Sequence, residues 1–302
     1  MAFSWIELDG VLNMRDLVGT RLAGGDRIAP HRLVRSDNLN FLTDHDVAVL
    51  IEQIGVVDVV DLRSSYECQR IGVSPLEDDP RVRVHHGSLY PETDPSSDVP
   101  PWKASVDAIG SANRNDELAQ HYLNYLRWSP EVVVGHLRVI ASSPGATVVH
   151  CAAGKDRTGT IIGLLLCALG ADEQDIIDDY AASGQRLSQI VARLGEAASA
   201  GAATHGAYDT PDQSTPPEVM ARFLELLGGQ QGALDLLGSH GWTAADHEQL
   251  RRTLTSPHTT VGSCDGASAR HPGDGGRVPV AGSVPTTGQQ PPAESTTQDH
   301  EL

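Results

Sequence analysis

Cysteine is scarce in this chain: four residues in 302, at no regular spacing. That excludes a disulfide framework and fits a reducing compartment better than an oxidising one. Positive charge is also short, since 22 lysines and arginines stand against 40 aspartates and glutamates and leave a formal charge of −18. Broad affinity for nucleic acid or for an anionic membrane is excluded on that balance, and any attraction for an anion must be local. Stable membrane insertion is not expected either, because the apolar run 161–169 falls well below the ~20 residues that a spanning helix needs. The opening Met-Ala-Phe-Ser-Trp-Ile-Glu has neither a basic stretch nor a long apolar core. No signal peptide is therefore expected, and the expected location is cytoplasmic, with secretion by a signal-less route left open. What is present is the composition of an ordinary globular protein, 39% hydrophobic and 21% charged.

The chemistry concentrates at 150–159, His-Cys-Ala-Ala-Gly-Lys-Asp-Arg-Thr-Gly. The β-branched run before it, 146–149, reads as a buried strand. The run after it, 158–170, is too long and leucine-rich for a strand and reads as a helix stopped at Gly170. The ten residues are thus a strand-to-helix turn with a thiol at its entrance and a guanidinium six positions later. Such a turn gathers the N–H groups of Ala152, Ala153, Gly154, Lys155, Asp156 and Arg157, with Thr158 behind them, over a helix N-terminus, a place suited to a phosphate dianion. The same field favours Cys151 as the thiolate, the form that attacks. The chain carries its own control: Cys264 and Arg270 have the same spacing but lack the strand before and the helix after. That second match is read as chance.

Along the chain, strands alternate with helices. Residues 28–36 read as an early strand pair broken at Pro30, and Thr43 as the cap of a helix 44–54 that Gly55 stops. The run 56–62 reads as a strand buried on both faces, and 82–89 as another. Residues 90–115 lose periodicity and read as a loop or lid. Helices are expected at 116–128 and 131–141, from Asp172 to Tyr180, at 185–198, from Pro216-Pro217 to Leu227, and from Thr243 to about 254. In 116–128, Leu118, Tyr122 and Leu126 belong either to a lid over the site or to the core. The fold class is α/β, with a central, largely parallel sheet flanked by helices. A catalytic domain is expected over 1–256 and a disordered Gly/Pro/Ser/Thr-rich tail over 257–302.

The 150–159 loop resembles that of the cysteine-dependent protein tyrosine phosphatases. Its Gly-Lys-Asp-Arg-Thr-Gly form is similar to a bacterial branch of atypical tyrosine/serine and lipid phosphatases, typified in mycobacteria. The likeness extends to Leu12-Asn-Met-Arg-Asp-Leu17, where Met14 replaces an aromatic and Val18 the usual glycine. It extends also to Leu33-Val-Arg-Ser-Asp37 and to Val59-Val-Asp-Leu-Arg63 with Glu67, and in all covers about 5–256. The resemblance implies a tyrosine-phosphatase-like fold and a phosphate monoester hydrolase without a cofactor or metal. It also implies broad specificity that includes phosphoinositides, a requirement for Asp156, and a separate acid in the loop after a strand. Here that loop offers Glu92 and Asp94, each with a solvated carboxylate as the plain alternative.

The residues then take expected roles. Cys151 attacks phosphorus and Arg157 clamps two equatorial oxygens, with the loop N–H groups sharing the charge. Thr158 is expected to hydrogen-bond the sulfur, and His150 to orient the loop rather than move protons. Asp61 and Arg63 are read as an ion pair behind the site. Asn13, Arg15 and Asp16 either brace the loop or form a plain turn. Lys155 either binds a second phosphate or is a solvated charge. The expected partner is a phosphorylated protein or phosphoinositide, with the oligomeric state open. Two other readings are a phosphate-binding pseudo-enzyme and a thiol redox enzyme such as an arsenate reductase. The latter calls for a resolving cysteine, and Cys167, the nearest in sequence, is expected to face the core.

Overall fold

The strand that ends at the thiol lies between two others of the same apolar kind, and this places the site. The computed structural model describes residues 3–91, 113–200 and 214–255, apart from the side chains of 197–200. Glu92, Asp94, Cys264, most of the expected 90–115 loop or lid and the expected tail fall outside them. The described residues all belong to one unit, Met1–Val261.

The strands are β1 (Ser4–Trp5), β2 (Arg15–Asp16), β3 (Leu33–Ser36), β4 (Val56–Asp61), β5 (Arg83–His86) and β6 (Ala146–His150), in the order β1-β2-β3-β6-β4-β5. β3, β6, β4 and β5 are parallel, while β1 and β2 extend one edge antiparallel. Side chains alternate between the two faces. Val34, Val59 and Val148 pack on one face with Leu39, Leu50 and Leu76. Leu33, Val60 and Val149 pack on the other with Ile161, Leu165 and Tyr122. Both faces are covered, which is why these strands read as continuous apolar runs rather than alternating ones.

The helices are α1 (Asp44–Ala48), α2 (Ser65–Ile71), α3 (Arg114–Trp128), α4 (Pro130–Ser142), α5 (Asp156–Ala168), α6 (Glu173–Ala182), α7 (Leu187–Ala200), α8 (Pro217–Leu227), α9 (Gly229–Ser239) and α10 (Ala244–Thr255). Thr43 caps α1 in a capping box with Asp46, and the helix runs on as a π turn, Val49–Ile54, to a left-handed Gly55. Of the strand pair expected over 28–36 only the second member forms, as β3, and His31 takes a positive φ of 55° where the chain turns just before it. Two helices lie beyond those expected from sequence. α2 starts at a Ser64/Glu67 capping box, and α9, with glycines at 229 and 232, is held by burial of Ala233 and Leu237. Among the described residues no helix is long and apolar enough to cross a membrane.

Register aligns the strand ends. Ser36 pairs with His150, and His150 with Asp61. The segments that follow, from Asp37, Cys151 and Leu62, therefore leave the sheet side by side at its carboxyl edge, where open α/β sheets bind ligands.

Candidate active site

Cys151, 2% exposed, follows β6 directly, and α5 begins at Asp156. Three of the four intervening carbonyls are tied from behind, and the fourth, Lys155 O, accepts Gly159 N of the helix at 2.8 Å. Asn38 N donates to Ala152 O at 3.0 Å, Asn13 Nδ2 to Ala153 O at 3.0 Å, and Arg35 Nη2 to Gly154 O at 2.6 Å. In a trans peptide the N–H points opposite to the carbonyl it is bonded to. The N–H groups of Ala153, Gly154 and Lys155 accordingly face away from these supports, and none donates to another group among the described residues. Lys155 stands at the N-cap without a side-chain bond to the helix. The result is a bowl of open donors at a helix N-terminus. Gly154 makes it possible, with φ +65° and a Cβ position only 2.3 Å from Ser36 O. Ala152 and Ala153 pack below Leu187, Ile190 and Leu194 of α7.

A buried ionic network holds the supports. Asp179 of α6 accepts Arg15 Nε at 2.7 Å and Arg35 Nη1, and its carbonyl accepts Arg15 Nη2 at 2.7 Å. Arg15 Nη1 donates to Asn13 Oδ1 at 2.6 Å, while Asn13 N donates to Asp37 Oδ1 at 2.9 Å. Burial and then Arg35 pull the Arg15 guanidinium down to about 10, with Asp179 opposing them. Burial disfavours the charge of Asp179, yet the two guanidiniums hold its pKa below the usual carboxylate range. Asn13 and Arg15 thus brace the loop, whereas Asp16 accepts His31 N at 2.8 Å.

On the opposite side Asp61 and Arg63 form the expected buried ion pair, at 2.6 Å. His150 is fully buried, with Nε2 3.6 Å from Asp61 Oδ1 and Nδ1 3.3 Å from Cys151 O. Burial pulls its pKa down to about 4 despite Asp61, so it is neutral at physiological pH and suited to orienting rather than shuttling. The fully buried Thr158 hydroxyl makes no hydrogen bond among the described residues, to the Cys151 sulfur or elsewhere.

Arg157 is held by Glu67, a residue whose role here the sequence alone does not reveal. Its Nη1 and Nη2 donate to Glu67 Oε2 and Oε1 at 2.6 and 2.8 Å, and Nη1 also to Leu62 O at 3.3 Å. Glu67 is the partner of Ser64 in the α2 capping box, so a single carboxylate starts a helix and fixes the guanidinium. The Tyr90 ring lies 5.2 Å from the Arg157 guanidinium carbon. Burial works against the Arg157 charge, yet Glu67 and then Cys151 hold its pKa well above the ordinary value. Of the five guanidinium donors, the Nε–H and the second Nη2–H have no partner among the described residues. They share one edge of the plane, the geometry that forks two oxygens of a phosphate.

Asp156 opens α5 with its side chain a third exposed. Its Oδ1 accepts the Tyr122 hydroxyl and lies 3.6 Å from Lys155 Nζ. Burial raises its pKa, but Lys155 and the Tyr122 hydrogen bond outweigh that and hold it below the ordinary value. Lys155 is buried against this carboxylate rather than spread into solvent. Tyr122 and Leu126 lie in the core, with Leu118 packed against it. Cys167 is buried there too, its thiol pushed up to about 11 by burial, which is no setting for a resolving cysteine. No group of three or more His, Cys, Asp or Glu that could hold a metal ion occurs among the described residues.

Residues 6–256 match the sequence pattern of the family described as "Tyrosine phosphatase family". The chain is 30% identical over 209 residues to the triple specificity protein phosphatase PtpB of Mycobacterium tuberculosis, an alignment that covers 63% of this chain and 73% of that protein. It is 34% identical over 188 residues to the protein H16_A0669 of Cupriavidus necator, covering 61% and 65%. A tyrosine-protein phosphatase of Nostoc commune is 33% identical over 135 residues, covering 41% of this chain and 45% of that one.

Proposed function

We infer, for a chain that belongs to the tyrosine phosphatase family and is a protein tyrosine phosphatase, that it hydrolyses phosphate monoesters through a phosphocysteine on Cys151. The observation that carries this reading is the bowl of open N–H groups beside an Arg157 whose Glu67 latch leaves its Nε–Nη2 edge open. The Cys151 thiolate attacks phosphorus in line, and an S–P bond forms as the bond to the leaving oxygen breaks. The N–H groups of Ala152–Arg157 and the open Arg157 edge hold the three equatorial oxygens, where charge accumulates. Water then attacks the phosphocysteine and returns the thiolate with inorganic phosphate. Asp156 carries the proton. It rests as a carboxylate, and a bound dianion that competes for Lys155 raises it towards its protonated form. It gives that proton to the leaving oxygen and takes one from water in the second step. Glu92 and Asp94 are the other candidates for the first transfer. The catalytic domain is 1–256.

The triple specificity for which PtpB is named supports more than one substrate class here: phosphotyrosine, phosphoserine or phosphothreonine, and phosphoinositides. Lys155, beside the bowl, is the group to meet a second phosphate. The test is a panel of phosphopeptides and phosphoinositides assayed by phosphate release, with Lys155→Ala alongside. The substitution is expected to lower kcat/KM on a bisphosphorylated inositide about tenfold more than on a phosphotyrosine peptide, the worth of one charge-assisted hydrogen bond. Equal losses on both would remove the second-phosphate role.

A further inference from the structure

The hydroxyl of Tyr122 is fully buried and lies between two partners, Asp156 Oδ1 and, at 2.9 Å, Tyr180 Oη. Burial and the charge of Asp156 hold the Tyr122 phenol well above its ordinary pKa, so it keeps its proton. An ionised carboxylate only accepts, and a phenol has one proton to give. Tyr122 therefore donates to Asp156, and Tyr180 donates to Tyr122. The order is fixed: Tyr180 to Tyr122 to Asp156, from α6 through α3 to α5.

Three features hold this relay in place. The Tyr122 ring is packed against Tyr125 at 6.1 Å and 15°, against Tyr180 at 6.1 Å and 69°, and against Phe223 at 6.2 Å and 70°. The loop motif makes room for it, because a Cβ at Gly159 would lie 3.1 Å from Tyr180 Cδ2. The residue before Tyr180 is Asp179, so neighbouring positions of α6 serve the loop carbonyls and the Asp156 carboxylate. Only Oδ1 of Asp156 is engaged; Oδ2 has no hydrogen bond among the described residues.

We propose that Tyr122, backed by Tyr180, is a positioning residue that pins Asp156 by one oxygen and so presents the other to the leaving group and to the attacking water. The proposal rests on the proton-transfer role given to Asp156 above. Because a proton donor matters most when the leaving oxygen is basic, the effect must grow with leaving-group basicity, which a merely structural role would not produce.

The experiment compares kcat and KM for phenyl phosphate and p-nitrophenyl phosphate in wild type, Tyr122→Phe, Asp156→Asn and the double variant. Phenylalanine keeps the ring packing, and a thermal melt confirms the fold. Tyr122→Phe is expected to lower kcat on phenyl phosphate about tenfold, with KM within about twofold and a distinctly smaller loss on p-nitrophenyl phosphate. In the Asp156→Asn background the same change should add nothing. Equal losses on the two esters, or losses that multiply in the double variant, would overturn the proposal. Asp156→Asn on its own tests the premise: if its loss shows no leaving-group dependence, the proton-transfer role of Asp156 fails, and the positioning role falls with it.

Discussion

Serine in place of Cys151 lowers kcat on p-nitrophenyl phosphate by about 10⁴-fold or more, as loss of a nucleophile does elsewhere. The substitution exchanges one small buried atom for another, so the bowl and the Arg157 edge persist. What disappears is the nucleophile. A hydroxyl needs an adjacent base to attack, and the imidazole of the neighbouring residue, His150, lies against the Cys151 carbonyl and Asp61. Phosphate binding should survive within a few-fold, because it depends on the loop N–H groups and Arg157 rather than on sulfur. Steady-state assay and calorimetric titration with inorganic phosphate check the two halves. Turnover above about a hundredth of wild type would assign phosphate release to another group.

The second large effect lies away from the reacting atoms. Asp179→Asn should cost about 3–5 kcal/mol of stability, because it removes the carboxylate shared by two fully buried guanidiniums, Arg15 and Arg35. With it goes the anchoring of Gly154 O and Asn13, so the bowl loses its rear support and activity falls as well. The pH dependence follows from the sign of the shift. The folded pKa of Asp179 lies below the unfolded value of about 3.9, so its contribution is complete above that value and is lost as pH falls through the lower, folded one. Urea denaturation should therefore show the wild type ahead by the full margin from pH 5 to 8, with the gap closing only below about pH 4. A gap under about 1 kcal/mol at pH 7 would mean that the network is dispensable.

The parts of the fold and site that were legible in the sequence are those whose causes are local. The strand 146–149, the loop and the helix stop at Gly170 are neighbours in the chain, and their pattern of β-branched, small and leucine residues states strand, turn and helix in that order. The Asp61–Arg63 pair spans two positions and was readable for the same reason. The burial of Cys167 follows from its place about three turns along an apolar helix. What was not legible depends on residues brought together by folding. Asp179 meets Arg15 across 164 positions and Arg35 across 144, and Glu67 meets Arg157 across 90. No period of 2 or 3.6 carries that information. Ser64 and Glu67 do spell a capping box, so α2 was readable in principle. That its carboxylate would also hold the guanidinium was not. Tyr122 read as core in preference to lid, as its burial bears out, but its ring packs like any core aromatic and only the hydroxyl differs. The edge strands β1 and β2, two residues each, are too short to leave a pattern and exist through pairing with β3.

The central claim is a covalent bond between one sulfur and phosphorus during turnover. Rapid acid quenching of the protein with a ³²P-labelled phosphate ester, followed by mapping of the labelled peptide, tests it directly. The label should appear on Cys151 within the first turnover and be absent from Cys151→Ser. Turnover that proceeds with no protein-bound phosphate, or with the label on another residue, would contradict it.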